Sequence, residues 1–284
     1  MTAAATSKTW EQAVRWLREQ PSQRDLVLAA YFDDPLLDAA TRYWRSEEWQ
    51  AVRSLLPTSH GKALDVGAGR GIASFALAKE GFAVTALEPD GSALVGADAI
   101  RDLTTASGLP IEVRQEFSER LPFDDAQFDV VFARAVLHHT TDLHGACREF
   151  LRVLKPGGTL LAVREHVISR PEDLPVFLEA HPLHKLYGGE NAFLLMQYEE
   201  AIRGAGFRLD TVLSPLQSPI NFAPYTLSSL QTELARRVGA RVSGAEALVR
   251  WLFRIPGVWP ALRAALRYLD NRPGRLYSFV ARRP

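Results

Sequence analysis

The sequence predicts an α/β fold: a doubly wound, mainly parallel seven-stranded sheet with an N-terminal helical cap and a helical insertion before the last strand. Three observations point there. Short apolar runs alternate with helical stretches from residue 62 to about residue 213. The run Phe128–Ala133 is apolar enough for a central strand buried on both faces. A glycine-rich turn, Asp65–Gly71, follows the first apolar run and opens a helix. A length of 284 residues suits one α/β domain carrying insertions.

Residues 1–56 read as the helical cap. Trp10, Val14 and Leu17 recur at helical spacing, as do Trp44, Trp49, Val52 and Leu56, and Pro21 and Pro35 cut the stretch into short helices. The core is expected over 57–213. Its strands are predicted at 63–66, 84–87, 111–113, 128–133, 159–164 and 207–213. Helices are expected at 72–79, 92–107, 143–154 and 197–205, most of them closed by glycine. The alternation then stops. Residues 214–275 are a Ser/Pro-rich loop followed by a helical stretch interrupted at Pro256 and Pro260, read as a lid over the substrate. Residues 276–284 supply the final strand.

The chain is 47% hydrophobic and 23% charged, with zero formal net charge, so nothing global points to nucleic acid. Charge is nonetheless uneven. From Arg236 onward eleven arginines face only Glu246 and Asp270, which suits either a solvated helical surface or attraction to an anionic substrate or membrane surface. Cys147 is the only cysteine, which excludes an intramolecular disulfide. Residues 1–8 lack a secretory pattern, and no apolar run reaches the ~20 residues that span a bilayer. A cytoplasmic protein without a transmembrane segment is expected.

The glycine turn reads Asp65-Val66-Gly67-Ala68-Gly69-Arg70-Gly71. Glycines let backbone approach a ligand closely, and a helix start offers free N–H groups. Its G-x-G-x-G spacing departs from the dinucleotide fingerprint. Asp65, at the strand end, suits an ammonium group. Glu88, ending the second strand, can accept from both hydroxyls of a ribose.

Six segments in order carry a family resemblance: Leu64–Gly71, Leu87–Asp90, Leu121–Phe123, Phe128–Val131, Leu137–His139 and Leu154–Gly158. Together they resemble the type 11 branch of class I S-adenosylmethionine (SAM)-dependent methyltransferases, strongly over residues 62–167 and more loosely over the last two strands. The resemblance implies a Rossmann-like sheet and SAM as cofactor. It places Gly67, Ala68, Gly69 and Gly71 beneath the methionine part and Glu88, with Pro89, at the ribose. Glu116, Phe117 and Ser118 would flank the adenine, and Ala133 and Arg134 would close the site. Relatives usually carry Asp where this chain has Phe117; a phenyl ring stacks on adenine but cannot accept from its amino group. A narrower resemblance, to bacterial glycan-modifying methyltransferases, is carried by residues 44–49, 164–169 and 181–191.

Substrate sites on open α/β sheets lie beyond the carboxyl ends of the strands. His138 and His139 follow the fourth strand; Glu165 and His166 end the fifth. These four are the candidate catalytic groups, because imidazole titrates near neutrality and suits a general base. Arg164, His184 and Tyr187 are the candidate acceptor-binding residues. Six of the seven histidines fall between residues 138 and 184. With Glu165 they offer ligand types for a divalent ion, but no cysteine or second strong ligand motif accompanies them, so no metal is assigned. The expected activity is O-methylation of a small hydroxylated acceptor, a saccharide or an anionic molecule. The rivals are N-, C- or O-methylation of a secondary metabolite and SAM binding without turnover; no nucleic-acid partner is expected.

Overall fold

The computed structural model describes residues 8–116 and 120–284. Phe117 and Ser118, two of the expected adenine neighbours, lie outside the described residues. Eight strands form one sheet: β1 (Lys62–Val66), β2 (Ala83–Leu87), β3 (Ile111–Arg114), β4 (Phe128–Arg134), β5 (Leu154–Ile168), β6 (Phe193–Leu194), β7 (Arg208–Leu213) and β8 (Arg275–Arg282). The order is β3-β2-β1-β4-β5-β8-β7, with β8 antiparallel to both its neighbours. The seven expected strands are all present. The eighth, β6, pairs parallel with the end of β5 through Val167 and Ile168, and at two residues it is too short to leave a periodic signal.

Strand side chains alternate between two cores, as a sheet covered on both faces requires. Ala63, Val130, Phe132, Leu161 and Val163 enter one core with Tyr43, Trp49 and Ile72. Leu64, Val66, Val131, Ala133, Leu160 and Ala162 enter the other with Phe150, Tyr198 and Phe279. The first core is completed by the N-terminal helices. Residues 36–45 and 47–53 are separate helices because Ser46 breaks the first and caps the second, accepting from the Trp49 N–H at 3.1 Å. Glu80, just past helix Ile72–Lys79, accepts from the Trp44 and Trp49 indoles at 2.9 and 3.1 Å and pairs with Arg53 at 2.9 Å. That one carboxylate fastens the N-terminal helices to the sheet layer.

Two helices differ in detail from expectation. The second core helix starts at Ala97, not residue 92, because Asp90 and Ser92 hold the preceding residues in side-chain-closed turns. Between β7 and β8 the helices are Pro219–Phe222, Leu227–Gly239, Ala245–Leu252 and Val258–Leu269. Pro260 does not interrupt the last of these. It sits in the first turn, where a missing N–H leaves no bond unmade.

Candidate active site

The glycine turn joins β1 to helix Ile72–Lys79, with Gly67, Gly69 and Gly71 at φ of 62°, 55° and 79°. The three differ in what surrounds them. A Cβ on Gly67 would meet Val136 at 2.7 Å, and one on Gly71 would meet Ile100 at 3.0 Å, so these two glycines permit packing. A Cβ on Gly69 would meet nothing nearer than the Val95 carbonyl at 4.0 Å, so the space beside it is open for a ligand. Glu88 is buried and accepts from the N–H groups of Gly69 at 2.7 Å and Asp90 at 2.9 Å, which orients its carboxylate beside that space. Burial raises its pKa. Asp65 is also buried, accepts from the Ser74 hydroxyl at 2.6 Å, and is pushed up to about 7 by burial. A cationic amine beside it would favour the ionised form. Pro89 follows Glu88, half-buried, and Glu116 is exposed beyond β3. Ala133 lies fully buried at the end of β4, paired with Val66 and Ala162.

Arg134 and Arg164 face a partner that sequence reasoning gave no role. Arg134 donates to both carboxylate oxygens of Glu48, at 2.7 and 3.3 Å, and Arg164 stands 3.8 Å from the same group. Arg164 also donates to the carbonyls of Ile220 at 2.7 Å and Ala223 at 3.3 Å. Its guanidinium therefore holds the start of the insertion in place. Arg70, in the glycine turn, was likewise assigned no role. It is buried, donates to the Tyr31 and Asp33 carbonyls at 2.9 Å, and pairs with Asp34, so the turn is strapped to the N-terminal helices.

Beyond β4 and β5 the expected histidines converge. A register shift between Ala162 and Glu165 bends β5 and turns Glu165 inward. Its fully buried carboxylate accepts from the backbone of Val136 and Leu137 at 3.1 Å and of His138 at 3.0 Å, capping the short helix Leu137–His139. The same carboxylate bonds His138 Nδ1 at 2.7 Å, while His138 Nε2 stands 3.5 Å from Glu190. Burial lowers the His138 pKa, but the two carboxylates outweigh it and lift the group to about 9. His166 is pushed down to about 3 by burial and by His138, and its Nδ1 bonds the Gly274 carbonyl at 3.0 Å. Of His138, His139 and His166, only His139 reaches outward: its side chain is 38% exposed, and its Nδ1 bonds the Gly189 carbonyl at 2.8 Å. Tyr187 donates to Glu190 Oε1 at 2.7 Å and packs on Trp10 at 4.8 Å. His184, half-buried, begins the four-residue helix that ends at Tyr187. Glu190 is thus the hub of the cluster. In sequence it stands out only as a member of residues 181–191, which carry the narrower resemblance.

The C-terminal arginines are mostly spent locally. Arg236 and Arg237 pair with Glu233, and Arg250 with Glu246, on their own exposed helices. No helix among the described residues is long and apolar enough to cross a membrane.

Sheet order, reversed strand and glycine turn together define a class I SAM-dependent methyltransferase. Residues 64–162 match the family described as Methyltransferase domain, and the cofactor is S-adenosylmethionine. It is 27% identical to "O-methyltransferase resE" of Aspergillus sclerotiorum over 73% of this chain and 77% of that one. It is 42% identical to the "Ubiquinone/menaquinone biosynthesis C-methyltransferase UbiE" of Idiomarina loihiensis, over 35% of this chain and 41% of that one. The chain therefore spans most of the first relative but under half of the second. The fold matches an S-adenosylmethionine-dependent methyltransferase from Mesorhizobium loti, with a TM-score of 0.54 at 18% identity, over 85% of this chain and 100% of that one.

Proposed function

We propose that the chain transfers the methyl group of SAM to a hydroxyl of a small polyhydroxylated acceptor, such as a sugar or glycan. The observation that carries this is the placing of His139. It stands beyond β4, three residues from Val136, which packs against Gly67 of the cofactor turn. SAM supplies an electrophilic methyl group on a sulfonium, which leaves as a neutral thioether. Gly67–Gly71, Asp65 and Glu88 hold it. His139 Nδ1–H donates to the Gly189 carbonyl, which leaves the Nε2 lone pair to take the acceptor's proton. Glu165 positions the loop and His138 rather than acting on the acceptor, since its oxygens are committed to three backbone N–H groups and one imidazole.

The acceptor is assigned to the region between the N-terminal helices and the insertion. A cleft of about 790 Å³ opens there, lined by Tyr31, Thr41, Arg45 and Glu48 on one side and Ala223–Thr226 on the other. Such mixed donors and acceptors suit a hydroxyl-rich molecule. Residues 223–226 belong to the insertion 214–275, which supports its reading as the substrate lid. Of the segments carrying the glycan-enzyme resemblance, residues 45–48 line this cleft, while residues 165–166 and 181–190 belong to the histidine cluster. The fungal relative, named an O-methyltransferase, supports oxygen as the methylated atom. A cytoplasmic setting, where SAM is made, suits this chemistry. The test is formation of S-adenosylhomocysteine with a panel of saccharides, followed by mass spectrometry of the product. Turnover only with carbon or nitrogen acceptors would instead favour the secondary-metabolite reading, and a relative named a C-methyltransferase gives carbon acceptors a precedent.

A further inference from the structure

We propose that His166, His181 and Glu190 form a binding site for a divalent transition-metal ion of the zinc type. One ligand atom from each of the three lies within 4.8 Å of the other two. His181 Nδ1 and Glu190 Oε1 are 3.8 Å apart. Two ligand atoms, each about 2.1 Å from a tetrahedral ion, stand roughly 3.4 Å apart, so the His181–Glu190 pair closes with a shift of a few tenths of an ångström and the remaining separations, within 4.8 Å, with one of up to about 1.4 Å. Two imidazoles with one carboxylate are the donor chemistry of zinc and its first-row neighbours, not of calcium or magnesium.

Three further observations separate this set from a chance cluster. First, His181 Nδ1 is buried and has no hydrogen-bond partner among the described residues. A buried nitrogen without a partner is costly unless something outside the chain meets it. Second, the other two members are held from behind. His166 Nδ1 bonds the Gly274 carbonyl, which leaves Nε2 as the nitrogen with a free lone pair, and Glu190 is fixed by the Tyr187 hydroxyl. Outer partners of this kind orient metal ligands and set their tautomer. Gly274, at φ 75°, is needed for that contact, because a Cβ there would strike Phe177 at 2.2 Å. Third, two carboxylates, Glu165 and Glu190, are buried within one group of imidazoles, and among the described residues neither is paired with Lys or Arg. The His138 imidazole, between the two, offsets one of these charges, and a cation held by His166 and His181 would offset the other.

The site adjoins the proposed base, since Glu190 Oε2 lies 3.9 Å from His139 Nε2. A divalent ion there can lower the pKa of a bound hydroxyl, the same proton removal assigned to His139. The metal proposal itself needs no acceptor and no turnover, so it stands or falls apart from the methyl-transfer reading.

The test is calorimetric titration of the full chain with ZnCl2 after removal of bound metal by chelation and dialysis. Co2+ then serves as a visible-absorption probe. We expect one equivalent of Zn2+ and d–d bands at intensities typical of a four- or five-coordinate ion. His166→Ala and His181→Ala should each weaken Zn2+ binding at least tenfold, and circular dichroism should show both variants folded. His181 is partly exposed, so its variant is the safer readout, and the wild-type titration decides the matter if neither variant folds. Absence of stoichiometric Zn2+ binding by the wild type overturns the site. So does unchanged affinity in the folded variants, and so does loss of binding in His139→Ala alone, which would put the ion on the other side of Glu190.

Discussion

Glu48 and Arg134 are 86 residues apart in sequence, yet the carboxylate holds the guanidinium at 2.7 Å with Glu48 almost fully buried. The pair joins the N-terminal helices to the end of β4. Arg134 also lies over the rings of Tyr31 and Tyr43, at 5.9 and 5.4 Å, so its charge is enclosed on several sides. Glu48→Ala should strand that charge and lower unfolding free energy by roughly 3–5 kcal/mol, the usual effect of breaking a buried pair from one side. Urea denaturation measures it. A loss under about 1 kcal/mol would mean that water reaches Arg134 and the pair is not buried in solution.

Cofactor binding is best tested at Gly69 and Glu88. Gly67 and Gly71 are poor choices, because side chains there collide with Val136 and Ile100 and would report on packing. Gly69→Ala strains a residue at φ 55° by about 1–2 kcal/mol and adds a methyl group in open space. Glu88→Ala removes the ribose acceptor. Each should weaken SAM at least tenfold in calorimetry while the fold persists; unchanged affinity in both would remove the cofactor from this turn.

Asp65 makes stability depend on pH. Its carboxyl titrates at about 7 in the fold, against 3.8 for the ordinary group. The folded state therefore binds the proton more tightly than the unfolded state. This contribution is fully present below about pH 4 and is lost as pH rises through 7, on the order of 4 kcal/mol in all. Asp65→Asn should match the wild type near pH 4 and exceed its stability at pH 8. SAM should bind more tightly to the wild type as pH rises toward 8, because its ammonium group pairs with the ionised carboxylate. Parallel stability curves for the two proteins across this range would show that Asp65 is not buried as described.

Proton removal is assigned to His139. His139→Ala should lower kcat by ~100- to 10,000-fold with SAM affinity unchanged. His138→Ala is expected to fail differently: it removes the imidazole between Glu165 and Glu190, so thermal stability should fall together with activity. Steady-state kinetics and a melting curve on both variants separate these outcomes. Full activity in His139→Ala would move the base elsewhere, or make the acceptor one that needs none.

Much of the core was readable from local pattern. The runs at β1, β2 and β4, the glycine turn and the acid at Glu88 are short-range signals, each complete within a few residues. Glu165 and His166 could be placed at a strand end for the same reason. What sequence could not convey is mostly long-range. Nothing near Glu48 announces Arg134, and nothing near Gly274 announces His166. The four catalytic candidates looked alike as sequence; burial, set by the bend in β5 and the cap at Glu165, is what distinguishes the exposed His139 from the enclosed His138. The arginines after residue 236 read as a single basic region, yet most are matched by an acid one helical turn away or by a backbone carbonyl.

β8 lies between β5 and β7, although it follows both in the chain. During synthesis, β5 and β7 emerge from the ribosome long before the strand that joins them. Until residue 282 is released, each presents an open edge of unpaired N–H and C=O groups. The sheet therefore closes only after translation has passed its last strand, and a chain stopped short of residue 275 would carry two such edges permanently. Nascent chains of this protein should rely on holding chaperones during that interval, and stop codons placed before codon 275 should yield aggregates rather than a shorter enzyme.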